Sequence, residues 1–326
     1  MIVVIKTHKN RTMKTPFKIV LTFLMLVLVR TYGQQDAQYT QYMYNTISIN
    51  PAYAGSREAI SITGLYRNQW VGIGGAPVTQ TFNIHSPIGR ENKLGLGLSI
   101  VNDKIGPTQE TYIDIDFSYS INTSENGKLS FGVKGGGHLL NVNFQELNQY
   151  TNSDLLLNTN IDKKFSPNIG AGIYYRKEKF YAGFSIPNML QTQHFNENSN
   201  DNLASSFLAK ERLNYYLMSG YVFDINENLK FKPAVLGKII SGAPIQVDVS
   251  ANFLLNDKIT AGLAYRWSAA FSALLGFQLS DSMLLGFAYD KETTSLGNTE
   301  FNSGSYEFFL RYEIFKNKRI LYPRFF

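Results

Sequence analysis

The chain has 326 residues, of which 14% are aromatic and only 17% charged, and it contains no cysteine. The lack of cysteine excludes a disulfide framework, a thiolate metal site and a cysteine nucleophile. Six of the 31 basic residues (Lys6, Lys9, Arg11, Lys14, Lys18 and Arg30) lie before residue 34; the remaining 25 match the 25 acidic residues, so the formal charge of +6 points to no nucleic-acid partner.

The amino end reads as a cleaved secretory signal peptide over residues 1–33. "MKTPFK" is basic, "IVLTFLMLVLV" (19–29) is apolar, and "TYG" closes the segment on a small residue. Met13 is the more natural start. The apolar run of eleven residues is too short for a membrane helix, which needs about 20. No later run is long enough either, so an exported chain of this kind enters a membrane only as strands. Residues 34–58 follow, with Tyr39, Tyr42, Tyr44 and Tyr53 around the "NPAY" of Asn50 and Pro51. This segment either docks a partner or packs as a plug, since buried aromatics serve both.

From there the chain alternates with a period of two. Runs fall near 59–69, 78–87, 93–103, 110–121, 128–142, 166–176, 179–187, 211–223, 229–240, 245–255, 257–267, 269–280, 283–291 and 304–315. These are fourteen strands of about ten residues, the length that spans a bilayer when tilted. Short turn signals such as "SENGK", "RKEK" and "LND" separate some; polar connections at 143–165, 188–210 and 292–303 separate others. Short turns at one end and long loops at the other suit an outer-membrane barrel. The expected fold is therefore all-β: a single transmembrane antiparallel β-barrel of fourteen strands over 59–326, preceded by the 34–58 plug or docking segment. Closure has a physical reason, because hydrocarbon leaves no partner for an unpaired strand edge.

"YIDIDFSYSI" (112–121) fixes the faces. Ile113, Ile115 and Phe117 point to lipid, and Asp114 and Asp116 to the lumen. The same parity makes Arg176, Asp248, Arg266, Glu307, Arg311 and Glu313 candidate lumen-lining residues. Tyr174, Tyr175, Phe180 and Tyr181, then Tyr215, Tyr216, Tyr221 and Phe223, then Tyr265 and Trp267 are expected in the interfacial girdles. In "RNQW", Arg67 and Trp70 are either an anchor at an interface or the girdle at the end of the first strand, the girdle being the simpler reading.

Catalytic chemistry is hard to find. His8, His85, His138 and His194 form no pair with metal-ligand spacing. Asp114 and Asp116 share a face and could do acid–base work, but a hydrated wall balanced by Arg176, Arg266 and Arg311 explains them more simply. "GIGGAP" and "KGGGH" lack the helix that a phosphate-cradling loop requires and read as turns or curvature at strand ends. No cofactor, metal or catalytic residue is expected, and a hydrolase is the least supported class.

Specific words in fixed order carry a resemblance: "QYTQYMYNTISINPAYAGS" (38–56), "LYRNQWVGIGGAPVTQTF" (65–82), "LGLGLSIVNDKIGP" (94–107), "SPNIGAGIYY" (166–175), "FYAGFSIPNML" (180–190) and "GFAYD" (286–290). The chain resembles the PorP/SprF family of the type IX secretion system of Bacteroidota from about residue 38 onward. Tyr306 departs from the pattern, standing where a histidine is expected. The resemblance implies a non-enzymatic outer-membrane barrel of the secretion or gliding machinery. Its implied partners are a secreted, adhesin-like client held by its type IX C-terminal domain, a periplasmic peptidoglycan-binding protein, and outer-membrane lipid. Residues 34–58 with Arg67 and Trp70 are then candidate docking residues. The alternative from another class is a passive porin for small solutes.

Overall fold

The computed structural model describes residues 37–89, 91–146, 160–190, 213–240 and 243–315. The expected signal peptide, His8, His194, the carboxyl-terminal Phe326 and most of the 188–210 connection lie outside the described residues.

Among the described residues the strands are β1 (Ile60–Asn68), β2 (Val78–Ile88), β3 (Leu94–Ile105), β4 (Thr108–Ser124), β5 (Gly127–Val142), β6 (Ile161–Lys177) and β7 (Phe180–Ile186). They continue with β8 (Asn214–Tyr221, resuming as Phe223–Asn226 after a break at Val222), β9 (Leu229–Ile240), β10 (Gln246–Leu255) and β11 (Ile259–Arg266). The last three are β12 (Ala270–Ser280), β13 (Met283–Glu292) and β14 (Ser305–Ile314). Every strand pairs antiparallel with its neighbours in sequence, and β14 returns to β1 with Ile60 opposite Ile314 and Asn68 opposite Tyr306. The sheet is a closed fourteen-strand antiparallel barrel with no free edge.

Connections at 89–93, 125–126, 178–179, 227–228, 256–258 and 281–282 share one end with the start of β1 and the close of β14. The remaining seven join strand ends at the other: the longer 69–77, 143–160, 187–213 and 293–304 and the short 106–107, 241–245 and 267–269. We call these the turn end and the loop end.

The two faces differ as the alternation requires. On β4, Ile113 and Ile115 are 46% and 58% exposed, while Asp114 and Asp116 between them are 4% and 0% exposed. Phe131, Val133, Phe253, Phe308 and Leu310 continue the outer apolar belt. So continuous an apolar surface far exceeds the few hundred square ångströms that a soluble monomer shows, and its medium is lipid.

Three features depart from expectation. Tyr174, Tyr181 and Tyr216 are not in the girdle; they are buried inside with Tyr42, Tyr44 and Tyr53. Adjacent strand residues face opposite ways, so of Tyr174–Tyr175 and Tyr215–Tyr216 only one of each can meet lipid. The glycines of "KGGGH" lie within β5, not at a strand end. Strand β6 starts at Ile161, inside the expected 143–165 loop, because Phe165 and Lys164 pair with Leu139 and Leu140 of β5.

Candidate functional site: a plugged lumen

Residues 39–56 fill the barrel. They form a short 3-10 turn (Tyr42–Tyr44), one helical turn, α1 (Thr46–Ile49), and a second 3-10 turn (Pro51–Tyr53). Asn50 sets the last of these: its side chain accepts from the Ala52 nitrogen at 3.0 Å while Pro51 sits at the first helical position. The same side chain donates to the Ile173 carbonyl of β6 at 3.1 Å. "NPAY" is thus a cap that also fastens the plug to the wall.

A plug of so few hydrogen-bonded turns leaves many backbone groups to satisfy, and wall side chains meet them. Glu307 of β14 accepts from the Thr40 and Gln41 nitrogens at 2.9 and 2.8 Å. Ser185 of β7 donates to the Ile49 carbonyl at 2.6 Å, and Ser118 of β4 to the Ala54 carbonyl at 2.7 Å. His85 of β2 accepts from the Gly55 nitrogen at 3.1 Å. Wall glycines give the plug backbone room. A methyl group on Gly132 would lie 2.2 Å from the Ala52 nitrogen, and one on Gly95 would lie 2.1 Å from the Ala54 oxygen.

Apolar contacts complete the seal. The Tyr44 ring stacks on Phe309 with centroids 4.5 Å apart, and Tyr53 meets Tyr174 edge-on at 5.3 Å. The Lys232 ammonium and the Arg311 guanidinium each lie 5.6 Å from the centre of the Tyr44 ring, within cation–π range.

Arg67, one of the candidate docking residues, is fully buried in the interior rather than at an interface or girdle. It pairs with Asp290 of β13 at 2.7 Å and Glu307 at 3.1 Å, and donates to the Thr40 hydroxyl at 2.7 Å. Thr40 in turn donates to Asp290 at 2.6 Å. This network closes the loop-end half of the plug. Arg266 holds Asp248 through its Nε at 3.0 and 3.1 Å and donates to the Tyr39 carbonyl at 3.3 Å.

Asp114 and Asp116 are countered by Lys134 of β5, at 3.2 and 3.7 Å, and not by the arginines expected from the sequence. Lys134 also donates to the Ser48 carbonyl of the plug at 3.3 Å. The expected arginines have other partners. Arg176 pairs with Glu58 at 2.9 Å, and Arg311 lies 3.8 Å from Glu313. At the turn end Arg57 grips Glu313 through two hydrogen bonds of 2.6 and 2.9 Å.

Trp70 lies in the β1–β2 connection, and its indole nitrogen donates to Glu292 at 3.1 Å. The same loop exchanges backbone hydrogen bonds with Gly304 and Ser303, and Gly75 accepts from Gly106 at 2.8 Å. "NQWVGIGGAP" therefore ties the β13–β14 connection to the β3–β4 turn. The sequence does not single out Lys134, Asp290, Ser185 or Thr40. Parity could have flagged Lys134, a lone cation on the inward face of "FGVKGG".

Residues 31–312 match the family described as type IX secretion system membrane protein PorP/SprF. The chain belongs to this family. No curated protein matches the sequence. Among solved structures it is similar to the outer membrane protein Omp33 of Acinetobacter baumannii, with 7% identity, 79% of this chain and 98% of that one covered, and a TM-score of 0.47. It is similar also to the CymD monoaromatic hydrocarbon channel, at 10% identity, with 87% and 95% covered and a TM-score of 0.47. A FadL homologue from Pseudomonas aeruginosa gives 14% identity, 78% and 89% coverage and a TM-score of 0.41. These likenesses are too distant to carry function across. The family and the lipid-facing barrel together make the PorP/SprF chain an outer-membrane protein associated with type IX secretion.

Proposed function

We propose that this PorP/SprF barrel is a non-enzymatic, closed scaffold that anchors or assists the export of a secreted client through the client's C-terminal domain. The observation that supports this reading most is the filled lumen. A solute pore needs a wetted path, and here the interior charges of Arg67, Glu307, Asp290, Lys134 and Asp114 are spent on the plug and on one another. The remaining surface for work is the loop end, where connections are longest and binding loops are usually carried. A periplasmic peptidoglycan-binding partner would meet the opposite, turn end.

The test is purification of the tagged protein from its own outer membrane in mild detergent, with bilayer conductance measured on the same preparation. The expected result is a stoichiometric secreted protein, released when its C-terminal domain is deleted, and no steady ion conductance. A barrel recovered alone that conducts would replace the scaffold with the passive porin.

A further inference from the structure

The plug has a direction, and that direction decides at which mouth of the barrel its own amino end, at Ala37, lies. On β2, which runs from the loop end at Val78 to the turn end at Ile88, Thr81 bonds Tyr39 at 3.0 Å, Asn83 bonds Asn45, and His85 bonds Gly55. On β14, which also runs from loop end to turn end, Glu307 holds Thr40 and Gln41, Phe309 stacks on Tyr44, and Glu313 holds Arg57. Two strands from adjoining parts of the wall give the same order, so the plug descends the lumen from residue 39 to residue 57. Gln38 confirms the upper end, donating to Gln246, the first residue of β10. The cleft beside Ala37 is lined by Tyr112, Pro187, Asn188 and Tyr216, all from the loop-end half of their strands or just beyond.

An even number of strands puts both ends of the barrel wall on the same side, here the turn end. The plug adds one more crossing, through the lumen. In outer-membrane barrels the short turns are periplasmic and the long loops face outward. We infer that the amino end of the plug, at Ala37 and Gln38, is presented on the cell-surface side, at the loop end, while the first strand begins on the periplasmic side. A partner on the cell surface can therefore reach this end of the plug, and one in the periplasm meets the opposite end.

The absence of native cysteine makes the test direct. Single-cysteine variants Ala37→Cys, Phe301→Cys at the loop end and Glu125→Cys at the turn end are exposed to a membrane-impermeant maleimide in intact cells and after outer-membrane permeabilisation. Heat-modifiable migration checks that each barrel is folded. A short epitope inserted between residues 36 and 37 gives a second readout by antibody. Ala37→Cys and Phe301→Cys are expected to label in intact cells, and Glu125→Cys only after permeabilisation. The inference is overturned if Ala37→Cys labels only alongside Glu125→Cys, or if Phe301→Cys itself needs permeabilisation. It is equally overturned if neither Ala37→Cys nor the epitope can be reached from outside.

Discussion

The two ends of the plug are fastened by the same kinds of atoms in different surroundings. At the loop end Arg67, Asp290 and Glu307 are all but inaccessible and share Thr40. At the turn end Arg57 and Glu313 are nearly buried, and Lys128 and Arg176 reach Glu58 with more solvent around them, at 27% and 15% exposure against 15% for Glu58. A buried pair that loses one partner leaves an uncompensated charge, whereas a solvated pair loses little. The loop-end grip should therefore hold the plug in place, and the turn-end grip should steady its exit into β1.

That contrast can be broken by substitution. Arg67→Met leaves Asp290 and Glu307 buried without their cation and should cost about 3–5 kcal/mol of stability, read as a lower temperature of heat-modifiable unfolding in detergent. If Arg67→Met and Lys128→Met unfold at the same temperature, the contrast is wrong. Arg57→Met removes one bidentate grip near the rim and should cost about 1.5–3 kcal/mol in the same assay. Gly132→Ala tests the seat between the ends. Its methyl group meets the plug backbone, so the variant should lose about 1–3 kcal/mol and gain ion conductance as the plug is displaced. A silent bilayer with that variant would mean that the plug and wall can yield together. Lys128→Met should cost less than about 1 kcal/mol, and the loss should vanish in 1 M salt, while the Arg67→Met loss should not.

Much of the barrel was legible in the chain because its information is local. A period of two separates lipid-facing Ile113 and Ile115 from inward Asp114 and Asp116 with no knowledge of any other strand. Turn residues mark strand ends, and an even count of about ten-residue runs implies closure. The polar "IDKK" at the start of β6 hid that strand because its outer residues rise beyond the apolar pattern that marks the rest.

The plug was legible only as a suspicion. Its tyrosines and "NPAY" showed that residues 34–58 were unlike a linker. They did not show that Asn50 would fasten to β6, that Glu307 would hold backbone nitrogens some 266 residues away, or that Lys134 would stand between Asp114, Asp116 and Ser48. The sequence by itself determined which side chains face inward. Only the closed barrel decided which of them meet, because strand register and closure, set by the whole ring of pairings, place residues distant in the chain at the same height around one narrow lumen.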